Sequence, residues 1–95
     1  VAGEAVFDNS SASRFELTAG GHLAELVYRR MGHRLHLVHT GVPDELEGRG
    51  VGGALVAAAI DRAAAEGLTV VPECPFARGW LERHPDVAGR ATIEW

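Results

Sequence analysis

Apolar positions alternate with polar ones through the first half of the chain, then recur at helical spacing through the second. Arg14-Phe15-Glu16-Leu17-Thr18 alternates strictly, the period of a half-buried strand. Gly20-Gly21 supplies residues that accept positive φ and reads as a hairpin turn. From His22 to Arg30 a second strand puts Ala24, Leu26 and Tyr28 on one face and Glu25 and Arg29 on the other. Gly32 marks a second turn, and Arg34 to Thr40 forms a third strand with Leu35 and Leu37 toward the core. Three strands with short turns predict an antiparallel meander.

The period then changes. Gly41 to Glu47, with Pro43-Asp44 inside it, reads as a loop. Val51 to Glu66 carries an apolar stripe of Val56, Ala59, Ile60 and Ala63, while Asp61, Arg62 and Glu66 face elsewhere, which predicts a helix. Gly67 suits the left-handed position just past its end. Leu68 to Cys74 is mostly apolar and predicts a buried strand. Strand, helix and strand in this order predict a parallel βαβ crossover. Pro75 fits the first position of another helix, along which Phe76 and Trp80, and Ala77 and Leu81, are i,i+4 pairs. Phe76 and Trp80 are expected to pack that helix on the sheet. Pro85 ends it by disfavouring helical conformation at His84, and Ala91 to Trp95 is a candidate last strand. Residues 1–13 are small and polar around the turn signal Asp8-Asn9-Ser10-Ser11 and read as a partly disordered segment, which leaves 14–95 as a single domain. The expected class is α+β: a mixed, mostly antiparallel sheet with one parallel crossover and two helices.

Composition narrows the function. The 95 residues are 46% hydrophobic and 23% charged, an ordinary balance for one globular domain. A net charge of -4 argues against a nucleic-acid partner. No apolar run approaches the roughly 20 residues of a membrane-spanning helix. Cys74 is the only cysteine, so there is no disulfide framework and the cytoplasm is the expected compartment. Oligomeric state is not legible.

The chemistry concentrates in Gly48-Arg49-Gly50-Val51-Gly52-Gly53, which opens directly into the predicted helix. Glycine lets backbone N–H groups approach a ligand closely, and a helix leaves its first N–H groups unpaired at its positive end. Together these suit a phosphate or pyrophosphate. A nucleotide-triphosphate loop needs Lys and then Ser or Thr after its last glycine, where this chain has Ala54 and Leu55. Gly48, Gly50 and Gly53 match a dinucleotide fingerprint, and Glu73 stands where a ribose-binding acid would, but that fingerprint follows its strand at once and here a loop intervenes.

The run Glu47-Gly48-Arg49-Gly50-Val51-Gly52-Gly53-Ala54-Leu55 resembles the coenzyme A loop of the GNAT superfamily of N-acetyltransferases. His39-Thr40-Gly41-Val42-Pro43 before it, and Val70-Val71-Pro72-Glu73-Cys74-Pro75-Phe76 and Arg83-His84-Pro85 after it, are similar to a minimal, single-domain branch of that superfamily. The resemblance runs from about Arg14 to Asp86. It implies a GNAT-like fold in which the strand before the loop and the strand after the helix splay apart around acetyl-coenzyme A. Pantetheine would pair with backbone around Thr40 and Val42, and pyrophosphate would sit on the N–H groups of Arg49, Gly50, Val51, Gly52 and Gly53. The implied activity is acetyl transfer to an amine, either a small molecule or a basic peptide; the alternative is a coenzyme A-binding module with little turnover. Two positions depart from the superfamily pattern: Glu47 stands where Gln or Arg is usual and is expected to face solvent, and Trp80 stands near the place of a proton-donating tyrosine.

Cys74 and His39 are the candidate catalytic groups. As the residue before Pro75, Cys74 would cap a helix N-terminus, where the dipole favours thiolate; it serves as acyl acceptor, as proton donor to the leaving thiolate, or as a small core residue. His39 ends its strand near the pantetheine region and either takes a proton from an amine, through a water, or hydrogen-bonds backbone. His36 and His39, three apart on a strand, are expected on opposite faces and so unable to share a metal. No metal site is expected. His84 reads as a structural residue at a helix end, and Arg49 as a charge for coenzyme A phosphate. Trp80 has a second reading, as a wall of the acceptor pocket.

Overall fold

The computed structural model describes residues 5–95. Six strands lie side by side in chain order: β1 (Phe7–Asn9), β2 (Arg14–Ala19), β3 (His22–Met31), β4 (Arg34–Gly41), β5 (Thr69–Pro72) and β6 (Thr92–Ile93). β1 to β4 pair antiparallel. For β2 to β4 the alternating pattern and the tight glycine turns dictate this, and Gly20, Gly21 and Gly32 all take the positive φ those turns need. β5 pairs parallel with β4, and β6 parallel with β5. Helix α1 (Val51–Glu66) makes the first crossover; α2 (Pro75–Arg83) and the single turn α3 (Pro85–Ala88) make the second.

Two crossovers therefore replace the single one expected. Pro85 does stop α2, but it also starts α3, because a proline lacking its N–H is well placed at a helix's first position. The segment read as partly disordered, 1–13, includes ordered structure among the described residues. Residues 1–4 lie outside the described residues, whereas Phe7–Asn9 pairs with Arg14–Glu16 and Ser10–Ala12 forms one turn of 3-10 helix. Asp8 is fixed there by Tyr28, whose hydroxyl donates to it at 2.6 Å, and by Arg62 of α1 at 3.1 Å.

One face of the sheet carries the core. Phe15, Leu17, Ala24, Leu26, Leu35, Leu37 and Val70 are buried against Leu55, Val56, Ala59, Ile60 and Ala63 of α1 and Ala77 and Leu81 of α2. The stripe read from the sequence is the face α1 buries, and Gly67 closes the helix in the left-handed conformation with its N–H on Ala63 O. The other face is solvated and laced with ion pairs, Arg14 with Glu16 and Glu25 and Arg34 with Glu94, and with a hydrogen bond between His36 and Glu73. Among the described residues no helix is long and apolar enough to cross a membrane.

Candidate functional site: a split between two parallel strands

β4 outruns its partner. Its ladder with β5 begins at Arg34 opposite Thr69 and ends at Leu37 opposite Pro72. One more bond follows, from Cys74 N–H to Leu37 O at 2.9 Å, and then β5 turns away into α2. β4 continues to Gly41 paired only with β3. A proline at the end of β5 has no N–H to extend the ladder, which helps fix the place where the strands part. Beyond that point the β5-facing backbone groups of Val38 to Gly41 have no strand partner, and buried polar backbone without one is costly.

A bulge sets which side chains face the split. The register between β3 and β4 jumps from Val27 opposite His39 to Tyr28 opposite Leu37, so Val38 is the extra residue. A bulge of this kind re-aims the side chains that follow it. Thr40 comes to lie opposite buried Leu26, on the helix-bearing face, and points to Cys74. His39 comes to lie opposite Val27, on the solvated face.

The same end of the molecule holds the start of α1. Gly48 and Gly50 both take φ of 75°. Gly50 is the residue before the helix, and the N–H of Ala54 is the first to find a helical acceptor, Gly50 O at 3.0 Å. Helix geometry leaves the N–H groups of Val51, Gly52 and Gly53 without intrahelical partners. Gly52 and Gly53 sit beneath two aromatic rings of α2. A Cβ on Gly52 would stand 2.6 Å from Phe76 Cζ, and one on Gly53 2.5 Å from Trp80 Nε1. The rings stand over the helix start and wall a cleft of about 560 Å³, whose floor and opposite side are Thr40, Val42, Leu46, Gly48 and Gly50 to Gly53.

Phe76 and Trp80 thus pack on α1 and face the cleft; the buried pair of α2 is Ala77 and Leu81. The glycine facing each ring was the available signal, since two adjacent glycines inside a helix cost stability unless something approaches closely. Trp80 is held by His84, whose ring stacks on it at 3.9 Å and whose Nδ1 meets Trp80 O at 2.8 Å.

Of the residues nominated for coenzyme A, Thr40, Val42, Gly50, Val51, Gly52 and Gly53 line this cleft, and Arg49 is exposed outside its lining. Glu47 is exposed, as expected, yet its place is the cleft rim. Cys74 is buried at 5% exposure and is not part of the lining; its Sγ lies 3.3 Å from Thr40 Oγ1. Burial pushes its thiol pKa up, but the Thr40 hydroxyl and the amides of Ala77, Phe76 and Thr40 outweigh this and hold it below the ordinary thiol value. These amides act as nearby dipoles, for the sulfur closes no hydrogen bond of capping geometry.

The two histidines correct a simple reading of strand periodicity. His36 lies opposite Arg29 and His39 opposite Val27, and those partners are two apart on β3, so both histidines share the solvated face. The bulge at Val38 supplies the odd residue that brings them there. His36 Nδ1 meets Glu73 at 2.7 Å, and the side chains of His39 and Glu25 both stand beside Gly41. Among the described residues no three His, Cys, Asp or Glu side chains gather as a metal site. His39 and Cys74 stand on opposite sides of the split.

Known proteins fit this geometry. The family model described as GCN5-related N-acetyl-transferase matches residues 14–89. No curated protein matches the chain. Among solved structures, a GCN5-like N-acetyltransferase candidate from Staphylococcus aureus, determined in solution by NMR, superposes with a TM-score of 0.73 at 26% identity, over 100% of this chain and 94% of that one. The family model spans most of the chain and the fold superposes on that structure over its whole length, so the chain belongs to the GCN5-related N-acetyltransferase family.

Proposed function

We propose that the chain moves an acetyl group from acetyl-coenzyme A to an amine. The observation that carries this reading is one cleft in which an unpaired strand edge meets an unpaired helix N-terminus. Pantetheine is peptide-like and would satisfy the edge from Val38 to Val42 as an added strand does. The pyrophosphate suits the N–H groups of Val51, Gly52 and Gly53, and Arg49, exposed beside them, would fold over it. Glu47 at the rim repels a phosphate at close range, so its carboxylate would turn to solvent.

Bound there, acetyl-coenzyme A supplies a reactive thioester at the split. The chain supplies the rest. A strand N–H near Val42 would stabilise the oxyanion. His39, exposed on the solvated face, would take the amine proton directly or through a water, and Cys74, on the helix side, would serve as the proton source. Donor and acceptor then approach from opposite faces of the sheet. The acceptor is a small amine or a basic peptide, which a chain of net charge -4 tolerates better than an acidic one.

Calorimetry with coenzyme A and a thiol-release assay with acetyl-coenzyme A test this together, using polyamines, amino acids and basic peptides as acceptors. Saturable binding plus release above hydrolysis for at least one acceptor is expected. Binding without turnover on any of them would make the chain a coenzyme A-binding module, and no binding would remove the cleft from the reading.

A further inference from the structure

Cys74 presents a difficulty for any direct role. Its sulfur is near the split but buried, and the cleft is lined by Thr40 instead. A nucleophile must touch the carbonyl it attacks. A proton donor need not, provided a hydroxyl connects it to the acceptor. Thr40 offers such a hydroxyl. It lines the cleft, it lies 3.3 Å from Sγ, and either atom of that contact can be the donor. Both partners are fixed: Thr40 by pairing with Leu26, Cys74 by its N–H on Leu37 O at 2.9 Å.

Resting on the acetyl-transfer reading above, we infer that Thr40 is a proton-relay residue through which the buried thiol of Cys74 reprotonates the leaving thiolate. As the carbon–sulfur bond of the donor breaks, its electron pair goes to the departing sulfur. That sulfur takes the Thr40 hydroxyl proton while Thr40 oxygen takes the proton of Cys74. The hydroxyl is restored, and Cys74 is left as a thiolate. The proton lost by the amine later returns Cys74 to the thiol, by way of water and the same hydroxyl, so the cycle consumes no other reactant. The surroundings suit this product. Thr40 Oγ1 lies 3.3 Å from the sulfur, and the influences that hold the thiol below its ordinary value, that hydroxyl and the amides of Ala77, Phe76 and Thr40, also favour the thiolate left behind. The bulge at Val38 is what turns Thr40 into this position; without the extra residue its side chain would leave by the solvated face.

The test compares the native chain with Thr40→Val, which keeps the shape without the hydroxyl, and Thr40→Ser, which keeps the hydroxyl. In the free protein, iodoacetamide alkylation followed against pH should place the Cys74 thiol pKa higher in Thr40→Val than in the native chain, with Thr40→Ser close to native. With acetyl-coenzyme A and spermidine as the amine probe, kcat should fall on the order of a hundredfold in Thr40→Val, with coenzyme A affinity held within about twofold and recovery in Thr40→Ser. The native chain should show a proton inventory in H₂O/D₂O mixtures with two protons in flight. Intact-mass measurement after incubation with acetyl-coenzyme A alone should find no acetyl group on the protein. An acetylated Cys74, or an unshifted thiol in Thr40→Val, overturns the relay even if the donor binds well. Absence of coenzyme A binding by the native chain would instead sink the acetyl-transfer reading, and the thiol titration still decides whether Thr40 and Cys74 are coupled.

Discussion

Gly48 and Gly50 both sit at φ of 75°, with open space beyond Gly48, whereas Gly52 and Gly53, a few residues on, are ordinary helical residues with aromatic rings pressed onto them. The first pair is glycine because the backbone there takes a left-handed turn that L side chains resist. The second pair is glycine because Phe76 and Trp80 occupy the space a Cβ would need. A glycine-rich phosphate loop looks uniform in sequence. Here it has two halves with different physical demands: one shapes the loop, and the other lets α2 close against α1 and wall the cleft.

Trp80 makes the strongest case for that division. Three atoms of its ring lie within 3.1 Å of a Cβ built on Gly53, and the ring is backed by His84 at 3.9 Å, so it has little freedom to retreat. Gly53→Ala should therefore destabilise by about 1–3 kcal/mol, the usual cost of overpacking, despite alanine's better helix propensity. The urea midpoint should fall and tryptophan fluorescence should shift with it. An unchanged midpoint would mean that Trp80 moves freely and that contact is not why residue 53 is glycine.

Gly48 should respond to the opposite lever. With nothing within 4 Å, an added Cβ meets no neighbour, and only the left-handed φ resists it. Gly48→Ala should cost about 1–2 kcal/mol. Gly48→Asn should cost visibly less, because asparagine enters that region more readily than alanine. Equal losses for Ala and Asn would point to a steric cause and merge the two halves of the loop.

How much of this was legible beforehand follows from the range of each signal. Local signals read well: α1 spans Val51–Glu66 as its stripe and closing glycine indicate, and the meander follows its alternation and turns. Features set by a partner did not. β1 is a three-residue edge strand with Asp8 and Asn9 in it, and only its pairing with β2 and the contacts of Asp8 to Tyr28 and Arg62 make it a strand. The bulge at Val38 leaves a trace, since Leu37 and Val38 break the alternation, but period two alone sent His36 and His39 to opposite faces. β6 as a second parallel partner, with α3 beginning at the proline that ends α2, depended on the whole sheet being in place. In the site, the glycines and Thr40 were visible as motif, while the link from Thr40 to Cys74 joins residues 34 apart and has no local signature.

Gly52 should give the smallest effect on stability and the most discriminating one on binding. Phe76 is 42% exposed and meets Gly52 through the tip of its ring, so it can swing aside where Trp80 cannot. The alanine in Gly52→Ala also favours the helix by up to about 1 kcal/mol, which offsets much of the displacement, and the urea midpoint should barely move. Coenzyme A affinity should nonetheless fall about tenfold, the loss of roughly one good contact, because the displaced ring enters the cleft that both residues line. A double-mutant cycle with Phe76→Ala separates the two possible causes. If the ring is responsible, Gly52→Ala in the Phe76→Ala background should leave affinity unchanged, and the coupling should equal nearly the whole single-variant loss. If Gly52→Ala weakens binding equally in both backgrounds, residue 52 is glycine to let the ligand approach its amide, and the division of the loop would fall between Gly52 and Gly53 instead of before them.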